Sequence, residues 1–126
     1  MVNQYKHYHV VKVNIHKGFF ERYLELRMEL LNVLKSVKNR SRVTFIGHSM
    51  GGALAILASI ESKSVLKKNF NRGSPSGNGP SGPQIECFTL AAPMIGDSTF
   101  TDLFNESKIS ITRYSLITGS DNGSTL

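Results

Sequence analysis

The sequence lacks most of what would place it outside the ordinary globular proteins. It has one cysteine, Cys87, in 126 residues, which excludes an internal disulfide framework and a cysteine-rich metal site and favours a reducing, cytoplasmic setting. It has no tryptophan and no run of 18 or more apolar residues, so no stretch reads as a spanning helix. Residues 1–10 are polar and aromatic, without the apolar segment that a secretory signal places behind its charges. Histidine is absent after position 48, the four being His7, His9, His16 and His48. What remains is the length and composition of one soluble domain at most.

Acid is also scarce: 15 Lys and Arg stand against 9 Asp and Glu, a formal charge of +6. Two stretches supply much of it, Lys35, Lys38, Arg40 and Arg42, then Lys63, Lys67, Lys68 and Arg72. Both close helical patterns, where cations are favoured by the helix dipole. They also suit transient contact with an anionic lipid surface. Nucleic acid is not expected as a partner, because no stacking aromatics are interleaved with the charges.

Apolar periodicity organises the rest. Residues 9–15 alternate, with Val11, Val13 and Ile15 on one side, and read as a strand. Phe20, Tyr23, Leu24, Leu30, Leu31, Leu34 and Val37 recur at helical spacing within residues 19–38, with Glu21, Arg22, Glu25 and Glu29 outward. Residues 43–46 form a β-branched and aromatic run, followed by an alanine-rich helical run over residues 50–60. Residues 71–84 hold four Gly, three Pro and three Ser, too many to form an element interior, and read as a flexible insertion in a single domain spanning residues 1–126. Residues 85–91 and 109–118 then read as strands, with a short helix at 99–105 between them. Strands alternating with helices give the fold class α/β, a mostly parallel sheet with flanking helices.

Between the run ending at Ile46 and the helix after it lies Gly47-His48-Ser49-Met50-Gly51, a G-x-S-x-G turn. Chance places that pattern in roughly one random chain of this length in 25, so the setting decides. A buried strand leading in and a small-residue helix leading out are what a nucleophile elbow requires. In such an elbow Ser49 is held in a strained conformation, and Gly47 and Gly51 are expected to be glycine because a Cβ on either would clash. Ser49 then sits at a helix N-terminus, where the N–H of Met50 is an oxyanion donor. The alternative, a serine that merely caps the helix, accounts for the turn but not for its flanks. His48 is expected to point away from Ser49 and pack in the core.

Several segments together resemble the class 3 lipase family, the fungal triacylglycerol lipase-like α/β-hydrolases. Ile15-His16-Lys17-Gly18-Phe19 is similar to the family's V-H-x-G-F segment, and residues 43–58 to its elbow and following helix. Phe88-Thr89-Leu90-Ala91-Ala92-Pro93-Met94-Ile95-Gly96-Asp97, followed by Phe100, is similar to T-F-G-x-P-R-V-G-N-x-x-F. Ala91, Met94 and Asp97 stand where the family has Gly, Arg and Asn. The resemblance implies a partial α/β-hydrolase acting on lipid acyl esters, Ser49 as nucleophile and no cofactor. The triad acid should follow the strand at 109–118, where Asp121 is the carboxylate, with Asp97 and Asp102 as rivals; Asp97 is otherwise a cap for the helix from Ser98. His16 matches a structural histidine of the family. The base is missing, since α/β-hydrolases place it after nucleophile and acid, and the segment resembling F-R-G-T, with a second oxyanion donor, is also missing, so the resemblance implies a fragment, a truncated gene or a decayed copy. The competing reading is a non-catalytic lipase-like domain that binds lipid or a protein partner. A peptidase or thioesterase would share the elbow but not the other segments.

Overall fold

A computed structural model describes residues 2–3, 13–71 and 82–115. The elements run β1 (Val2–Asn3), β2 (Asn14–Ile15), α1 (Lys17–Leu34), β3 (Arg42–His48), α2 (Met50–Asn71), β4 (Gln84–Leu90), α3 (Ser98–Ser107) and β5 (Ser110–Tyr114). β3, β4 and β5 form a parallel sheet in that order, with Val43 beside Ile85, Phe45 beside Cys87 and Cys87 beside Ile111. β1 and β2 pair antiparallel.

The register puts Val43, Phe45, Ile85, Cys87, Thr89 and Ile111 on the face that carries the helices. Ile85, Cys87 and Thr89 are buried there. α2 packs on that face because its first half is nearly all small or aliphatic: Ala53, Ile56, Leu57 and Ile60 are buried. Three small residues in its first four let the backbone approach β3 and β4 closely. α1 lies against α2, and the contact contains a buried polar lock. Glu61, 3% exposed, accepts from the Tyr23 hydroxyl and from Arg27, whose Nε and Nη2 lie 2.8 and 2.5 Å from Oε1. A buried carboxylate is tolerable only with such partners.

Several boundaries differ from the periodicity. Of the strand expected over 9–15, the described part is Asn14–Ile15. α1 begins two residues earlier than expected and ends at Leu34, after which the N–H groups of Lys35, Ser36 and Val37 close onto carbonyls three residues back, a tightened last turn. Leu24, expected inward, is 46% exposed. α2 continues to Asn71, because Val65 and Leu66 extend its apolar face past the alanine-rich run. Of the insertion expected over 71–84, Asn71 belongs to α2 and Gln84 to β4, and residues 72–81 lie outside the described residues.

His48 departs more sharply. It is exposed, because the alternation that turns Val43, Phe45 and Gly47 toward α2 turns Thr44, Ile46 and His48 to the other face. No helix covers that face among the described residues.

Candidate nucleophile elbow

β3 ends at His48 and α2 begins at Met50, so Ser49 alone makes the turn. Its φ is 52°, the left-handed region that a serine adopts only under constraint. The constraint is visible on both sides. The Ser49 N–H donates to the Leu90 carbonyl at 2.8 Å, and the Ser49 carbonyl accepts from Gly52 N–H at 2.9 Å and Ala53 N–H at 3.4 Å. Ser49 is therefore tied to the end of β4 and to the first turn of α2 at once, with its side chain exposed. Met50, the first helical residue, has its N–H ahead of these intrahelical bonds, at the positive end of a 22-residue helix.

The glycines divide differently from the expectation. A Cβ on Gly47 would meet the carbonyl oxygen of Gly51 at 2.0 Å and its carbonyl carbon at 2.3 Å. Nothing lies within 4 Å of a Cβ on Gly51. The steric expectation at Gly51 is thus corrected: its backbone, not its missing side chain, makes the close approach to Gly47. The crowded partner is Gly52, whose Cβ would sit 2.6 Å from Ala92 Cβ and 3.2 Å from the Gly47 carbonyl oxygen. The motif pattern did not single Gly52 out, although the doubled glycine was the available signal.

Gly52 faces the segment after β4, and that segment is itself braced. Ala91 has φ 50°, and its N–H donates to the Tyr114 carbonyl of β5 at 2.7 Å. Arg113 Nη2 donates to the Ala92 carbonyl at 3.0 Å. The chain then turns to meet the segment before α1: Ile15 bridges Gly96, and the His16 N–H donates to the Ile95 carbonyl at 2.7 Å. Gly96 is required there, since its Cβ would lie 2.4 Å from the Asn14 carbonyl oxygen. Arg113 and this crossing were not legible as site features, because both depend on main-chain carbonyls that no side-chain pattern reveals.

Asp97 caps α3, accepting from Thr99 N–H at 3.0 Å and Phe100 N–H at 3.3 Å, while Asn14 Nδ2 donates to its other oxygen at 2.7 Å. The Thr99 hydroxyl, the Asn14 amide and these N–H groups hold its carboxyl below the ordinary aspartate value. That is a structural anion. Asp102 is exposed on α3, and Asp121 lies outside the described residues, as do His7 and His9. His16 is exposed at the N-terminal boundary of α1, its ring centroid 4.6 Å from that of Phe19. Burial drives the Cys87 thiol up to about 11, with a hydrogen bond to Ser59 opposing, so it is no thiolate nucleophile at neutral pH. No group of three His, Cys, Asp or Glu residues among the described ones is placed to hold a metal.

The family model for Lipase (class 3) matches residues 1–121. The chain belongs to the class 3 lipase family. Among the chain's relatives, Protein EDS1L of Arabidopsis thaliana is 34% identical over 92 residues, 68% of this chain and 14% of that protein. Secreted mono- and diacylglycerol lipase MDL4 of Malassezia globosa is 27% identical over 107 residues, 82% of this chain and 31% of that one. The native Rhizomucor miehei lipase propeptide complex superposes with TM-score 0.59 at 26% identity, over 90% of this chain and 34% of that one. The chain thus has part of an α/β-hydrolase fold, a parallel three-stranded sheet with flanking helices, and spans about a third or less of these relatives' lengths.

Proposed function

We propose that this chain carries the nucleophile elbow of a carboxylic-ester hydrolase acting on lipid acyl esters. The observation that carries the reading is Ser49 at φ 52°, exposed on a strand-to-helix turn whose Gly47 admits no side chain. The Ser49 hydroxyl attacks the ester carbonyl carbon, its proton leaves to a base, and the Met50 N–H receives the developing oxyanion. One such donor is worth about 3 kcal/mol of transition-state stabilisation. Asp121 is the proposed acid that orients the base. The reading needs a histidine that follows Ser49 in the chain, and these 126 residues hold none there.

The likeness to Protein EDS1L, a relative not named as a lipase, favours a second reading, a lipase-like domain that binds lipid or a protein without turnover. A fluorophosphonate probe separates the two. On the first, the chain labels slowly, added imidazole accelerates labelling by standing in for the base, and Ser49→Ala abolishes it. Labelling that survives Ser49→Ala removes the serine from the mechanism. No labelling at any imidazole concentration, from a folded chain, supports the binding domain.

A further inference from the structure

The positive charge is concentrated at one end of the fold. In a parallel sheet with helical crossovers, every helix finishes at the end where the next strand begins, here the end opposite Ser49. α1 leads there through Lys35, Lys38 and Arg40 into Arg42 at the head of β3. α2 ends there with Lys67 and Lys68, and α3 with Lys108 as its left-handed cap. The Gln84 N–H donates to the Ser41 carbonyl at 2.9 Å, which joins the heads of β3 and β4 directly. All seven cations are exposed.

Two carboxylates share this end. Glu86 lies 3.6 Å from Arg42, and Glu106 is exposed in the last turn of α3. The remaining described charges, five cations and six carboxylates, leave the rest of the molecule slightly negative. Helix C-termini attract cations, so the dipoles must be set against the charge. Three C-termini at about −0.5 each, with the two carboxylates, leave a surplus near +3.5. Dipole compensation therefore accounts for a minority of the accumulation.

We propose that this end is a docking surface for an anionic lipid bilayer. The cations are spread over three elements instead of converging on a cavity, which suits a plane of delocalised negative charge better than a single phosphate. Val33, 63% exposed in the last turn of α1, supplies an apolar side chain that can enter the headgroup layer between them. Single-stranded nucleic acid would require exposed aromatic rings among the cations, and Phe70, the described aromatic residue near this end of α2, is half-buried. Docking in this orientation turns Ser49 away from the bilayer, so recruitment is separable from any chemistry at the elbow.

Co-sedimentation of the 126-residue chain with vesicles tests it, using phosphatidylcholine alone and phosphatidylcholine with about 30% phosphatidylserine. At about fivefold per effective cation, the surplus predicts partitioning about 300-fold stronger into the anionic vesicles, lost in about 0.5 M salt. Lys35→Glu with Lys38→Glu, or Lys67→Glu with Lys68→Glu, should each abolish the preference, whereas Lys17→Glu with Arg22→Glu, the same change of charge elsewhere, should retain most of it. Equal loss from both kinds of variant would show that net charge alone binds and would overturn the surface. Inhibition by inorganic phosphate at matched ionic strength, or tighter binding to a single-stranded oligonucleotide than to the vesicles, would also overturn it. Orientation has a separate readout that needs no charge reversal: in brominated anionic vesicles, Val33→Trp fluorescence should be quenched and Met94→Trp fluorescence should not. Quenching of Met94→Trp alone would place the bilayer at the elbow instead.

Discussion

Three neighbouring glycines should answer alanine substitution in three different ways, and the differences follow from what each Cβ would touch. At Gly47 all three nearest atoms are backbone: Gly51 O at 2.0 Å, Gly51 C at 2.3 Å and Gly52 N at 2.6 Å. Ordinary contact for carbon is about 3.5 to 4 Å, so the first turn of α2 would have to retreat by about 1.5 Å, breaking the Ser49 carbonyl bonds that start the helix. Overpacking usually costs about 1 to 3 kcal/mol where side chains can adjust; with backbone on both sides, Gly47→Ala should cost 3 or more. That is a large part of a domain's total of about 5 to 15. Gly52→Ala meets Ala92 Cβ at 2.6 Å, on a loop that can yield, and should cost about 1 to 3. Gly51→Ala meets nothing and replaces the poorest ordinary helix former with the best, so it should stabilise by about 0.5 to 1 kcal/mol. Thermal or urea unfolding reads all three, at about 3 to 6 °C per kcal/mol for a chain of this size. Gly47→Ala unfolding with the parent, or Gly51→Ala the least stable of the set, would refute the elbow geometry.

The other predictions concern single contacts. Glu61→Ala should cost about 3 kcal/mol by leaving Arg27 and Tyr23 without their buried acceptor, while Glu25→Ala, which breaks the exposed pair with Arg22, should lie within about 0.5 by chemical denaturation. Ala91→Gly should raise the melting temperature by a few degrees, since φ 50° costs alanine about 1 kcal/mol that glycine does not bear; a lower melting temperature would mean that this strain is not present. Because the Asp97 carboxyl is held below its ordinary value of 3.8, its contribution to stability is full above that value and lost as pH falls through the lower folded one. Asp97→Asn should therefore flatten the acid limb of the stability profile below about pH 4, and an unchanged limb would exclude the cap as its source. Light scattering should show the 126-residue chain self-associating, and a monodisperse monomer with a sharp transition would contradict the open sheet face.

Local features were legible in the sequence to the extent that they depend on side-chain type along one element. The order of β3, α2, β4, α3 and β5, and the Asp97 cap, follow from periodicity and from a carboxylate placed before Ser98. The turn at Ser49 follows from a β-branched run meeting a small-residue helix. What was not legible depends on two backbones meeting. Gly51 looked crowded because it stands in the motif, yet the contact to Gly47 uses its carbonyl. Gly52, Ala92 and Arg113 brace the elbow through contacts between segments some 20 to 40 residues apart. The left-handed backbone at Ala91 carries no signal in alanine itself.

The exposure of His48 and Ile46 has a different origin. Residues 43–46 read as a strand buried on both sides, because parallel strands are ordinarily covered on both faces and their composition shows it. Among the described residues, helices cover one face only. On the other, Ile46 is 78% exposed, Tyr114 58% and Leu90 49%, with Phe88 half-buried between them. Taking such a side chain from full exposure to full burial is worth roughly 1.5 to 3 kcal/mol, so these partly covered ones together still forgo several kcal/mol. That is too much for a strand to forgo on four neighbouring positions by accident of composition. β3, β4 and β5 thus carry the amino-acid pattern of a sheet with two covered faces while one is covered here. His48 would become a core histidine only with a second layer over that face.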